Sequence, residues 1–203
     1  MTAVRGSEGY ERSIQKFIEL SQALRFEEVC KDFLGFLPAP PCRILDAGSG
    51  AGQNAAALAE MGHSVVAVEP LDSFRESARI MYSHQNILWL DDSLPELKKL
   101  HPDIASFEFI LVDGVWHHLT EKERDRSLER FSQLLNPGGR CALSLRTGPP
   151  GLGTCVYPTD ARDTIRIAKE KNMACLLLLE DQPSILAGKE DVKWSRLVLQ
   201  KIA

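Results

Sequence analysis

Ile44-Leu45-Asp46-Ala47-Gly48-Ser49-Gly50-Ala51-Gly52-Gln53-Asn54 is an apolar strand that ends in an acid and runs straight into three glycines at alternate positions. Glycines so placed let the backbone turn from strand to helix and approach a ligand without side chains in the way. They leave amide donors at the N-terminus of the helix that follows. Working outward, a helical stretch over 53–61 leads to Ser64-Val65-Val66-Ala67-Val68, a second apolar run, and this one ends at Glu69. A βαβ unit places an acid at the tip of its second strand where it reaches a ribose. The two segments read together as a nucleoside site.

Two departures from the dinucleotide fingerprint narrow the choice of nucleoside. The spacing is G-x-G-x-G, so the third glycine of G-x-G-x-x-G would fall at position 53, which is Gln53. Asp46 would also repel a pyrophosphate across a few ångströms of partly dry protein, whereas it would attract a sulfonium or an ammonium group. S-adenosylmethionine carries both cations, and its one carboxylate can rest on loop amides. This favours the methyl donor over NAD.

Over roughly residues 40 to 200 the chain resembles the class I S-adenosylmethionine-dependent methyltransferases. Beyond the glycine loop the resemblance rests on Val66-Ala67-Val68-Glu69-Pro70, on Trp89-Leu90-Asp91-Asp92-Ser93-Leu94-Pro95, on Phe109-Ile110-Leu111-Val112-Asp113-Gly114-Val115-Trp116-His117-His118-Leu119, and on the turn Leu134-Leu135-Asn136-Pro137-Gly138-Gly139. It implies a Rossmann-like, doubly wound α/β fold with a mostly parallel seven-stranded sheet of order 3-2-1-4-5-7-6, the seventh strand antiparallel and helices on both faces. It also implies a single domain over 1–203, with 1–40 as a helical cap. The cofactor residues it implies are Asp46, Gly48, Ser49, Gly50, Gly52 and Asn54 at the loop and Glu69, Pro70 and Leu71 at the ribose. Either Asp91 or Asp92, with Ser93, falls at the adenine, and Asp113, Gly114 and Val115 follow the fourth strand.

Hydrophobic periodicity predicts strands at 43–47, 64–69, 86–90, 107–113, 139–146, 174–180 and 192–200. Helices are predicted at about 53–61, 71–83, 93–100, 120–135 and 159–171, with Asp72, Ser93, Thr120 and Thr159 as caps. Thr120-Glu121-Lys122-Glu123 has the form of a capping box. Tyr10 to Leu37 reads as one or two helices that Pro38-Ala39-Pro40-Pro41 separates from the first strand.

A methyl carbon on a sulfonium is already electrophilic and its leaving group is neutral, so alignment matters more than acid or base strength. A hydroxyl or protonated amine acceptor must still lose a proton. His117 and His118, with Asp113 behind them, are the candidate bases. Tyr10, Trp116 and Arg146 are candidate substrate contacts, and the Gly/Pro-rich stretch 146–153 reads as a mobile lid. The acceptor expected is a small molecule with an O or N nucleophile. A cofactor-binding module without catalysis is the main alternative, and an NAD-dependent oxidoreductase a weaker one.

The bulk composition agrees. With 203 residues, 44% hydrophobic and 26% charged, the chain has material for one full core. A net charge of −4 with scattered Lys and Arg offers no electrostatic footprint for nucleic acid. No apolar stretch approaches the ~20 residues that span a bilayer. The polar N-terminus lacks a signal-peptide core, so a cytoplasmic monomer or homodimer without membrane partners is expected. Five cysteines, odd in number and never in a C-x-x-C pair, read as reduced thiols. No metal is expected, because Ser144-Leu145-Arg146-Thr147 lacks the partners that would complete a magnesium site with Asp113.

Overall fold

The computed structural model describes residues 4, 6–83, 86–101 and 106–202, so the expected domain limits at 1 and 203 lie outside the described residues. Seven strands form one sheet of order β3-β2-β1-β4-β5-β7-β6. They are β1 (Arg43–Ala47), β2 (Ser64–Val68), β3 (Ile87–Leu90), β4 (Phe107–Val112), β5 (Leu135–Thr147), β6 (Met173–Pro183) and β7 (Lys193–Lys201). The pairs from β3 through β5 are parallel, and β7 runs antiparallel to both of its neighbours. This is the fold class and strand order expected.

The helices are α1 (Ile14–Gln22), α2 (Phe26–Val29), α3 (Gln53–Glu60), α4 (Asp72–Met81), α5 (Glu121–Leu134) and α6 (Ala161–Glu170). Alternation along each strand decides which face they cover. Leu45, Ile110, Leu143 and Leu197 point to one face, under Leu128 and Phe131 of α5 and Ala168 of α6. Ile44, Phe109, Ala142 and Val198 point to the other, against Phe26 of α2 and Ala55 and Leu58 of α3. Both sheet faces are therefore dry, which is why the parallel strands read as continuous apolar runs.

The structure corrects several local expectations. Residues 93–100 form turns rather than a helix. Asp92 accepts the N–H groups of Ser93 at 2.9 Å and Lys99 at 2.7 Å, and Leu97 adopts φ 45°, a left-handed backbone that no helix propagates through. β5 begins at Leu135, before Pro137-Gly138-Gly139, because Leu135 pairs with Phe107 and a register shift before Phe109 absorbs the turn residues. β6 is also longer than expected. Thr120 caps α5 with a full capping box, but Leu71, not Asp72, precedes α4, and Asp160, not Thr159, caps α6. The Thr159 hydroxyl instead donates to the Arg146 carbonyl at 3.1 Å.

Candidate functional site

Parallel strands bring their carboxyl ends to one edge of the sheet, and the order reverses between β1 and β4, opening a crevice there. The glycine loop lies in it. Gly48, Gly50 and Gly52 all have positive φ, at 85°, 53° and 88°. A Cβ on Gly48 would strike Val115, and one on Gly52 would lie 2.5 Å from the Trp89 ring, so both the backbone angles and the space demand glycine.

Three carboxylates converge on this crevice. Asp46 at the end of β1 is 1% exposed, and Glu69 just past β2 is 7% exposed. Asp113, just past β4, is held by Arg196 of β7 at 3.4 Å and Asn54 Nδ2 at 3.4 Å. Burial, then the neighbouring charges of Asp113 and Glu69, push the Asp46 carboxyl up to about 8. Burial likewise pushes Glu69 up to about 7, against the opposing pull of the Leu71 and Gly50 amides and the Arg75 charge. Glu69 accepts the Gly50 N–H at 3.0 Å and the Leu71 N–H at 2.8 Å, so it ties the glycine loop to the start of α4. Around the same loop, Asp46 Oδ2, Ser49 Oγ, Gln53 Oε1 and Asn54 Oδ1 are buried polar atoms with no protein partner. Orphaned polar atoms beside the buried Asp46 carboxyl, which no cation pairs, fit a cationic, hydrogen-bonding ligand.

The N-terminal segment closes over this edge. Phe17 of α1 lies above the loop, 3.2 Å from where a Gly50 Cβ would stand, and it stacks against Phe74 of α4 with ring centroids 4.8 Å apart. Tyr10, in a 3₁₀ turn, packs edge-on against Phe17 and His118. The segment is stapled to the Gly/Pro-rich stretch by hydrogen bonds from the Thr154 N–H and hydroxyl to the Glu8 carbonyl, at 2.9 and 3.2 Å. The stretch expected as a lid thus lies against the cap.

His117 and His118 sit in a 3₁₀ turn (Trp116–His118) after β4. His118 Nδ1 lies 2.6 Å from the Cys155 carbonyl, which can only accept, so Nδ1 carries the proton. Its Nε2 therefore accepts from the Tyr10 hydroxyl at 3.0 Å. Burial, reinforced by His118, Arg146 and Arg124, pushes His117 down to about 2, so it is neutral at ordinary pH. Burial raises the Tyr10 phenol to about 12. Asp113 makes no hydrogen bond to either histidine, because Arg196 and Asn54 occupy it.

One cavity of about 620 Å³ joins these parts, lined by Gly48, Gly50, Glu69 with Pro70 and Leu71, Ser93, Asp113 with Gly114 and Val115, both histidines, Tyr10 and Arg146. That lies within the ~300–1,000 Å³ usual for small-molecule sites. Of the expected site residues, Asp46, Ser49, Gly52 and Asn54 are buried and outside its lining, and three others stand apart from it. Trp116 is wholly buried and turned away, its indole N–H 3.4 Å from the Thr164 hydroxyl of α6, because the turn that presents the histidines to the cavity faces their neighbour into the core. Asp91 pairs with Arg75 at 3.3 Å and Lys99 at 3.3 Å, and Asp92 holds the following turn, so neither lines the cavity. Arg146 does line it, but its guanidinium donates to the Gly148 and Pro149 carbonyls at 3.4 and 2.5 Å. Arg196 and Trp194 escaped the sequence reading, since only the antiparallel pairing of β7 with β5 brings them to the crevice.

A methyltransferase-domain family profile matches residues 45–143. An uncharacterized methyltransferase of Geobacillus kaustophilus is 28% identical over 142 residues, covering 68% of this chain and 62% of that protein. The chain spans about half the length of the curated relatives it matches. Among solved structures, a TehB-like methyltransferase of Corynebacterium glutamicum superposes with a TM-score of 0.65 at 19% identity, covering 94% of this chain and 97% of that one. The 1,6-didemethyltoxoflavin-N1-methyltransferase of Burkholderia thailandensis, solved with bound 1,6-didemethyltoxoflavin and S-adenosylhomocysteine, gives 0.63 at 17% identity, covering 100% of this chain and 93% of that one. The sheet order is that of these solved methyltransferases, and residues 45–143, which carry the glycine loop, match the methyltransferase-domain profile.

Proposed function

We propose that this protein transfers a methyl group from S-adenosylmethionine to an O or N nucleophile of a small-molecule acceptor. The observation that carries the reading is the convergence of Asp46, Glu69 and Asp113 on a glycine loop ringed by orphaned polar atoms. Glu69 would take the ribose hydroxyls, the loop amides and Asn54 the amino-acid end, and Ser93 with Leu94 the side of the base. Asp46 and Asp113 would face the cationic groups.

The methyl donor supplies an electrophilic carbon attached to a good leaving group, so the chain's task is to align, to exclude water and to remove a proton. The cap over Gly50 excludes water. For the proton, the arrangement at His118 is suited: an acceptor hydroxyl or ammonium gives its proton to the Tyr10 oxygen while the Tyr10 proton passes to His118 Nε2. The Cys155 carbonyl holds the resulting imidazolium. His117, kept neutral by burial, shapes the cavity and serves no base role in this scheme.

Calorimetry with S-adenosylhomocysteine and NAD, followed by an acceptor screen read as S-adenosylhomocysteine release, tests this reading. The nucleoside is expected to bind and NAD is not. Tight binding of NAD, or no binding of the nucleoside, would overturn the reading. Nucleoside binding without turnover on any acceptor would favour a non-catalytic module.

A further inference from the structure

The cavity has walls of two kinds. Beside the glycine loop, carboxylates and histidines stand opposite the Phe17 and Phe74 rings. The outer wall is apolar and built from two elements far apart in sequence, α1 with the residues just after it, and the 184–192 connection between β6 and β7. Along α1 and beyond, Phe17, Leu20, Ser21 and Leu24 recur at helical spacing and face the cavity, and Ile185 and Leu186 border it from the connection. Leu20, Leu24, Ile185 and Leu186 belong to none of the three core clusters, so folding alone does not account for them.

Their exposure is uneconomical as well. Among the described residues eight large hydrophobics are exposed, and three of them stand at this rim: Leu20 at 45%, Ile185 at 52% and Leu186 at 39%. Apolar side chains gathered at a cavity mouth mark a binding surface, whereas scattered ones do not. The charged groups among the rim's lining residues are Lys16 and Lys189, both cationic, so nothing there would hold an ammonium. The apolar surface continues from the cavity out to solvent, so a compact ring inside would leave Ile185 and Leu186 uncovered.

We infer that the acceptor carries an alkyl or isoprenoid-like tail without a cationic group that lies between α1 and the 184–192 connection, its reactive group held inward toward Tyr10 and His118. This rests on the methyltransferase reading and names the substrate class for the same site.

The test uses the full chain saturated with S-adenosylhomocysteine and a series of 4-alkylphenols from ethyl to octyl, with binding measured by calorimetry. Affinity is expected to rise about fourfold per added methylene until the chain emerges past Leu186. In the double variant Leu20→Asp, Leu186→Asp the slope is expected to flatten, with S-adenosylhomocysteine affinity within twofold of the parent. Affinity independent of chain length, no alkylphenol binding, or an unchanged slope in the variant would overturn the proposal. So would binding of the long chains only when phospholipid vesicles are present, which would make the rim a membrane contact instead. Failure of S-adenosylhomocysteine itself to bind would strike the methyltransferase reading, a separate outcome.

Discussion

Glu69 bonds the Gly50 and Leu71 amides with one carboxylate, and in the proposed site the same group takes the ribose hydroxyls. Glu69→Ala is therefore expected to weaken S-adenosylhomocysteine binding by about 10- to 150-fold, the worth of one charge-assisted hydrogen bond. Gly50→Val should weaken it comparably, because its backbone is left-handed and the added side chain meets Phe17. Unchanged calorimetric affinity in both folded variants would refute the placement. Tyr10→Phe removes one oxygen; it is expected to lower kcat ~10²-fold or more while leaving nucleoside affinity nearly intact, in steady-state assays on whatever acceptor the screen returns. At this scale the sequence was most legible where a residue's position follows from its distance to a strand end. Asp46, Glu69 and Asp113 all lie at the edge their spacing predicts. It was least legible where a neighbour 108 positions away decides the role, as for Tyr10 and His118, or where the sense of a tight turn decides which way a side chain faces, as for Trp116.

At the scale of elements, α5 is anchored at its start by the Thr120 and Glu123 capping box and then by Arg124, which donates to the carbonyls of Trp116, Pro158 and Tyr157 at 3.0, 2.6 and 3.4 Å. No carboxylate takes part in those three bonds. Arg124 joins the turn bearing both histidines to the segment before α6, so Arg124→Met is expected to lower stability by about 2–3 kcal/mol, the loss of charged hydrogen bonds being partly offset by its apolar stem. Chemical denaturation would show this, and a loss below 0.5 kcal/mol would deny the staple. Thr120→Ala should cost about 1 kcal/mol by the same measure. The capping box was legible because it is local in sequence. The absent helix at 93–100 was not, since it is unmade by Asp92 catching the Lys99 amide seven residues on and by the left-handed backbone of Leu97, neither of which periodicity registers.

For the molecule as a whole, the buried carboxylates couple folding, ligand and pH. Asp46 and Glu69 have folded-state values raised to about 8 and 7, from ordinary values of 3.8 and 4.5. A raised acid favours the folded state fully only below its unfolded value, so this site's contribution to stability declines as pH rises from about 4 to about 8. A cationic ligand reverses the balance by favouring the ionised carboxylates. S-adenosylmethionine is thus expected to bind more tightly at pH 8.5 than at pH 6, with proton release, and S-adenosylhomocysteine, lacking the sulfonium charge, to change less. Calorimetry of both ligands in two buffers of different ionisation enthalpy measures this, and equal pH dependence would contradict it. The strand order at this scale came from resemblance of motifs; hydrophobic spacing alone marks strands without arranging them.

The reversed direction of β7 carries a consequence of its own. Because β6 and β7 are joined by a hairpin, their link turns back at the ligand edge; a parallel crossover would have delivered it to the opposite edge. One inverted strand thus leaves a short, replaceable flap beside the crevice, closed at its base by the Ser184 N–H donating to the Val192 carbonyl at 3.3 Å. Evolution, or an engineer, could exchange that flap to retune which molecules the crevice admits while the glycine loop and its strands stay untouched.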